Sequence, residues 1–412
     1  MRVLVVNNLY PPDTHGGYEL LCSDVTERLR EQHEVKVLTS AVGADLPAEP
    51  HVVRELTYLG GGKLDSLRAP LAAVRAAKAM RRVLADFRPD VVFVWNGADM
   101  PQAAIRIAEL SGTPVAYSLC EYWLAHMYST DRFMRHLRPG ERGPRGIWAR
   151  LMRLVNRHPA LRLELDNRVP ASLAFISESL RETVSLPSTL KPLDQRVIYP
   201  GLHDPELWKA LERRPASDPP TIAFAGRLEW QKGPDVAYRA VAALRDRHGI
   251  DVKLVLAGRA HPEMRAELER LAAELRIEDR VEQLGMVSHE RLGELLASAS
   301  AMVLPAVWGE PFGITSLEAG LARVPLVASL SGGMPEGLLP DEHALYFDIG
   351  DHEACADALA RVLRDPGDTA NRCARAYERA QLFTSDRYAA QMNEFIETAV
   401  AVHPRHPVGS TV

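Results

Sequence analysis

Two α/β domains in tandem, each built on a parallel sheet covered by helices, are the fold class the chain predicts, and three observations predict it. Short apolar runs alternate with segments of helical spacing along almost the whole length. The runs are near-continuously apolar instead of alternating, as strands buried on both faces are. The scheme then repeats after a Pro-rich stretch, "RRPASDPP" at 213–220, which reads as an exposed connector. A length of 412 residues is long for one core and comfortable for two.

In chain order, "RVLVVN" (2–7) opens as a buried strand and "GYELLCSDVTERLRE" (17–31) follows with helical spacing. "HEVKVLTS" (33–40) is a second strand, and "DVVFVWN" (90–96) a third after the Ala-rich helical stretch 70–86. "TPVAYSLC" (113–120) and "ASLAFIS" (171–177) complete the first set. The second set is "TIAFAG" (221–226), "VKLVLAG" (252–258), "RVEQLGMV" (280–287), "AMVLPA" (301–306), "VPLVAS" (324–329) and "ALYFDI" (344–349). Segments between these carry apolar stripes at 3.6-residue spacing. A last helix, "DRYAAQMNEFIETAVAV" (386–402), leads into a polar tail expected to be disordered.

Composition excludes several classes. With 46% hydrophobic and 25% charged residues the chain reads as soluble and globular. A net charge of −5 gives no global signal for nucleic acid or membrane, so any such contact must be local. Cys22, Cys120, Cys355 and Cys373 are scattered, with no C-x-x-C pair, which suits free thiols in a reducing cytosol. No apolar run approaches the ~20 residues of a membrane-spanning helix. The N-terminal run meets polar residues by Asn7, too soon for a signal peptide. A cytoplasmic location is the expectation.

Open α/β sheets bind ligands beyond the carboxyl ends of their strands. Standing there are Gly16-Gly17 at the first helix, Arg227 and Lys232 in "GRLEWQKG", and "GEPFGITSLEAG" (309–320) after "AMVLPA". A helix starting around Gly313 offers unpaired N–H donors and about half a positive charge, which suits phosphate oxygens. Glu318 leans back toward that opening from one turn inside, and Glu310 lies in the loop before it. Two carboxylates beside a diphosphate repel it unless they grip neutral hydroxyls on either side. A nucleotide-sugar has that layout: ribose, two phosphates, sugar. Either glutamate alone is more commonly a solvated surface acid. Their conjunction with Arg227 and Lys232 favours the site.

"GEPFGITSLEAGLARVPLVAS" with "FAGRLEWQKGPD" resembles the donor site of retaining glycosyltransferases of family 4, which have the GT-B fold of two Rossmann-like domains facing across a cleft. "FISESL" (175–180), "VIYPGLHDPELW" (197–208) and "LSGGMPEGL" (330–338) match further family segments in the same order, so the resemblance covers nearly the whole chain. It implies an acceptor-binding domain at 1–198, a donor-binding domain at 199–385, a helix 386–402 crossing back to the first domain, and a tail 403–412. By the same resemblance Glu310 and Glu318 are the two acids of the E-x7-E motif, contacting the donor sugar and the ribose. Arg227 and Lys232 would hold the diphosphate, with backbone N–H groups at Phe312, Gly313, Ile314, Thr315 and at Gly16-Gly17 sharing it. Gly285 would pass the base. The donor expected first is a UDP-sugar and next a GDP-sugar; the acceptor hydroxyl belongs to a small molecule, a glycolipid or a glycan. No cofactor is implied. No D-x-D occurs, so the cationic side chains are expected to replace a metal.

One departure from the family stands in "SLCEYW": Cys120 and Glu121 replace a His-Asp pair. Cys120 reads there as a small buried hydrophobe. His126 is the candidate substitute, although an isolated His is more often structural. The stretch from His126 to Arg168 holds ten arginines against four acids. Its "IWARLMRLVNRH" reads as a basic amphipathic helix after the loop "LRPGERGPRG". The favoured reading packs that helix by its apolar side on the first domain. The alternative is contact with an anionic acceptor or acidic lipid through Trp148, Leu151, Leu154 and Val155. "LGGGK" (59–63) lacks the Ser or Thr of a P-loop and reads as a mobile cleft loop. Rival functions are a nucleotide-sugar-binding protein without catalysis and a same-fold epimerase or phosphorylase.

Overall fold

The computed structural model of the protein describes residues 1–13, 16–42, 49–60, 62, 64–137, 144–215 and 217–404, with the backbone alone at 144 and 145. Most of the loop "LRPGERGPRG", part of "LGGGK" and the tail from 405 lie outside the described residues. The chain divides into two compact units: Met1–His203 with the segment from Ser385 onward, and Asp204–Thr384.

Among the described residues the first unit holds seven parallel strands: β1 (Arg2–Asn7), β2 (Glu34–Ser40), β3 (Val52–Leu56), β4 (Val91–Asn96), β5 (Val115–Leu119), β6 (Val169–Phe175) and β7 (Leu190–Val197), in the order β3-β2-β1-β4-β5-β6-β7. The second holds β8 (Thr221–Ala225), β9 (Lys253–Ala257), β10 (Val281–Gly285), β11 (Ala301–Leu304), β12 (Leu326–Ser329) and β13 (Leu345–Phe347), in the order β10-β9-β8-β11-β12-β13. Every residue of β4, β5, β8, β11 and β12 is buried, which is why their sequences run apolar without alternation.

Two strands escaped the sequence pattern. β7, "LKPLDQRV", carries Pro192 and three charged side chains; it is an edge strand, the place where a sheet tolerates proline. β3 is the opposite edge, five residues long with one buried side chain. The segment "RRPASDPP" is not a connector between units. It lies inside the second, where Arg213 donates to the carbonyls of Leu296 and Ala299.

The helices of the first unit that matter below are α1 (Gly17–Arg30), α2 (Asp65–Phe87), α3 (Ala103–Leu110), α4 (Trp123–Thr130) and α5 (Pro144–Val155). The chain's last helix, Ser385–Val402, belongs to this unit as well. It packs on α1, β4 and β7, with Tyr388 edge-on to Trp95 at 6.2 Å.

α5 is helical, as its spacing predicts, but most of its large apolar residues are not covered. Gly146, Ala149 and Met152 are turned inward, while Ile147, Leu151 and Leu154 are exposed and Trp148 and Val155 half-buried. Gly146, Ala149 and one methionine form the covered face, and the other bulky side chains stay outside.

A buried charge pair ties this region together. Arg106 and Glu109 on α3 are both inaccessible to solvent and meet at 2.7 Å. Glu109 also accepts from Tyr117 at 2.5 Å and Tyr128 at 3.2 Å, and Arg106 donates to the carbonyls of Glu164 at 3.0 Å and Asn167 at 2.7 Å. Every strong polar atom here has a partner, the condition under which a buried pair is tolerated. Arg106→Leu leaves Glu109 charged in an apolar core, so it should destabilise the protein by about 3–5 kcal/mol in urea unfolding. A loss under about 1 kcal/mol would show that the pair is not what pins 164–167.

Candidate active site

In the second unit the strand order reverses between β8 and β11, so the loops that leave these two strands diverge and open a crevice at their carboxyl ends. The loop after β8 carries Arg227 and Lys232; the loop after β11 carries Glu310.

These loops are fastened to each other by backbone. Gly233 has φ +65° and lies so close to the carbonyl of Pro305 that a Cβ would stand 1.9 Å from its oxygen. Val307 N–H donates to Gln231 C=O at 2.9 Å beside it. On the other side the loop after β12 locks onto Glu310. Ser331 Oγ accepts from Glu310 N–H at 3.1 Å and donates to the carbonyl of Trp308; Gly333 N–H donates to Glu310 C=O at 2.8 Å. Gly332, at φ +54°, leaves room for that approach, since a Cβ would lie 2.1 Å from Glu310 O.

The outcome is a fixed carboxylate. Glu310 is only 4% exposed, not the exposed loop acid it most commonly would be. Its Oε2 accepts from Lys232 Nζ at 2.6 Å and from Trp308 Nε1 at 3.1 Å. The Lys232 ammonium also lies 5.8 Å from the Trp308 ring centroid, within reach of cation–π attraction. Lys232 keeps 26% of its side chain exposed, so the charge stays reachable from the crevice.

The other expected residues are placed as follows. Arg227 is 56% exposed and paired with Glu229 at 3.1 Å, outside the Lys232–Glu310 contact. Gly313, at φ +79°, caps the helix Ile314–Leu321; Ile314 and Thr315 are half-buried, whereas the Phe312 ring is core. Glu318 is half-buried in the second turn of that helix. Gly285 ends β10 at φ +72°, its carbonyl accepting from Gly258 N–H at 2.8 Å.

Gly16, Gly17, Cys120, Glu121 and His126 belong to the first unit. Gly17 begins α1 with open space around it, but Gly16 N–H is already taken by the Glu19 carboxylate at 2.9 Å. Glu121 accepts from Asn96 Nδ2 at 2.6 Å, and His126 is exposed on α4. Cys120 is buried, and burial pushes its thiol up to about 12. Trp308, Ser331 and Asn96 were not anticipated from sequence. "LSGGMPEGL" contains Ser331, but nothing in one dimension says that a serine 21 residues away fastens Glu310.

Two family models match the chain: Glycosyltransferase Family 4 over residues 15–161 and Glycosyl transferases group 1 over residues 209–381. An uncharacterized glycosyltransferase of Methanocaldococcus jannaschii is 29% identical over 89% of this chain and 90% of its own. A D-inositol 3-phosphate glycosyltransferase of Salinispora tropica is 29% identical over 96% of this chain and 84% of its own. Among solved structures, Anabaena HepE in complex with UDP and glucose has a TM-score of 0.64 at 19% identity, over 97% of this chain and 100% of that one. Sucrose-phosphate synthase from Thermosynechococcus elongatus has a TM-score of 0.67 at 19% identity, over 97% and 99%. The chain belongs to glycosyltransferase family 4, has the GT-B fold, and is a glycosyltransferase.

The Cys120 thiol has a pH signature. Its value rises from 9.0 to about 12 on folding, so the unfolded chain ionises first as pH climbs. The unfolded state then binds fewer protons, and stability falls from about pH 9 towards about 12. Cys120→Ala should flatten that decline in a series of denaturation curves and leave the slope below pH 8 unaltered. Equal slopes in both proteins would mean that the thiol does not stay neutral in the fold.

Proposed function

We propose that this glycosyltransferase moves a sugar from a nucleoside-diphosphate sugar, a UDP-sugar first, to an acceptor hydroxyl, with retention and without a metal ion. The observation that carries the reading is the buried Glu310 carboxylate, shared by Lys232 and Trp308 through one oxygen. An acid fixed in this way has its second oxygen left to accept from a sugar hydroxyl. A diphosphate arriving in the crevice competes with Glu310 for Lys232, and Arg227 stands on the same loop to join it. As the bond from the anomeric carbon to the diphosphate breaks, negative charge grows on the departing phosphate. Cations already in place stabilise it without reorganising. The acceptor oxygen bonds to the anomeric carbon on the face the phosphate leaves, and its proton passes to a phosphate oxygen. The fold neighbour solved with UDP and glucose supports uridine as the base to try first.

Calorimetric titration of UDP, GDP, ADP and dTDP in EDTA tests the donor, on wild type and Arg227→Ala. UDP should bind the wild type and bind the variant on the order of tenfold or more weakly. Glu310→Gln and Lys232→Ala should each lower turnover by about 10²–10³-fold, assayed at a temperature where circular dichroism shows both variants folded. Magnesium-dependent binding, or near-normal turnover in either variant, would overturn this assignment.

A further inference from the structure

Most exposed bulky side chains of the first unit lie on two segments, α5 and the start of α2. On α5, Ile147, Leu151 and Leu154 follow the i, i+4, i+7 spacing of one helix face and are exposed, Ile147 to 70%. Leu64, Leu67 and Leu71, at the start of α2 and on its first turns, are also exposed, Leu67 to 67%. Single exposed leucines are ordinary on a protein surface; two stripes on two neighbouring helices are not.

The helices are neighbours because the segments around them are tied. Arg132 Nη1 donates to Ser66 Oγ on α2 at 3.2 Å, and the short turn Met134–His136 just after it packs against α5. Farther along α2, Arg81 donates to the carbonyls of Ala160 at 3.0 Å and Leu161 at 3.3 Å, a few residues beyond α5.

Charge accompanies both stripes, and it has one sign. Arg150, Arg153 and Arg157 are exposed on and just after α5, and no acid occurs from Pro144 to Leu163. Arg68, Arg75 and Lys78 are exposed on α2, whose first-turn acid Asp65 is buried. Asp131, on the segment between them, is buried too; it accepts from the N–H groups of Gln102, Phe133 and Met134. The whole chain carries −5, so this face is a cationic island on an anionic protein.

We infer that α5 and the first half of α2 form a docking surface for an anionic phospholipid bilayer. Leucine and isoleucine side chains flanked by arginines match such an interface: the apolar groups enter the acyl boundary while the guanidinium groups meet phosphates. A second copy of the chain fits poorly, because pairing this face with itself would set arginine against arginine.

The test is co-sedimentation of the full-length protein with vesicles of phosphatidylcholine alone or mixed with phosphatidylglycerol. Partitioning onto the anionic vesicles should exceed that onto neutral ones by on the order of a hundredfold or more and fall in high salt. Replacing Arg150, Arg153 and Arg157 together by Gln should weaken it by about a hundredfold, and Leu151→Ser with Leu154→Ser should also release the protein. Unaltered circular dichroism melts would show both variants folded. Equal partitioning onto both vesicle types, or no loss in the variants, would overturn the inference. So would a wild-type dimer in sedimentation velocity that the leucine pair turns into a monomer.

Discussion

Parallel strand pairing imposes the constraint on which the site depends. In a parallel sheet all strands deliver their carboxyl ends to one edge, and a reversal of strand order leaves two adjacent ends whose loops part. In the second unit those ends belong to β8 and β11, and that geometry brings Lys232 within 2.6 Å of Glu310 although 77 residues separate them along the chain. The loops could still wander. They do not, because Gly233 lies against Pro305 and Gly332 against Glu310, each at positive φ and each too close for a side chain. Backbone contact, not side-chain packing, sets the position of the acid.

Putting the ion pair there has an energetic logic. A buried carboxylate without a partner is costly, and Lys232 together with the Trp308 N–H removes that cost in the resting protein. The same lysine stays partly exposed, so an incoming polyanion can take it over. On the proposed reaction the exchange is one charge-assisted contact for another, and Glu310 remains held by Trp308 and, through its backbone, by Ser331 and Gly333.

Much of this was legible in the chain, for identifiable reasons. Strands buried on both faces announce themselves by continuous apolarity, so both sheets could be read, and helix caps such as Gly313 mark themselves by residue type. What failed to register follows from the same physics. β7 is an edge strand whose outer side meets water, so it carries charges and a proline and looks like a loop. The orientation of α5 was misjudged because its periodicity shows that a stripe exists but not which stripe is covered. Gly146, Ala149 and Met152 form a competing face that only the packed structure selects. The partners of Glu310 were invisible for a third reason: Ser331 is set opposite it by strand pairing, which leaves no local trace.

That misjudged helix bears on how an anionic protein meets an anionic surface. Net charge acts at long range and is screened within about a Debye length, ~8 Å in physiological salt. Inside that distance the field is that of the nearest side chains, and along α5 these are arginines with no acid among them. The overall −5 therefore opposes approach only weakly, while the local cationic face sets the orientation of the encounter. Covering Gly146 and Ala149 while Ile147 and Leu151 stay outside would be a poor choice for the stability of an isolated domain, since larger side chains release more water on burial. It is a sound choice for a helix whose bulky face has another apolar medium to enter.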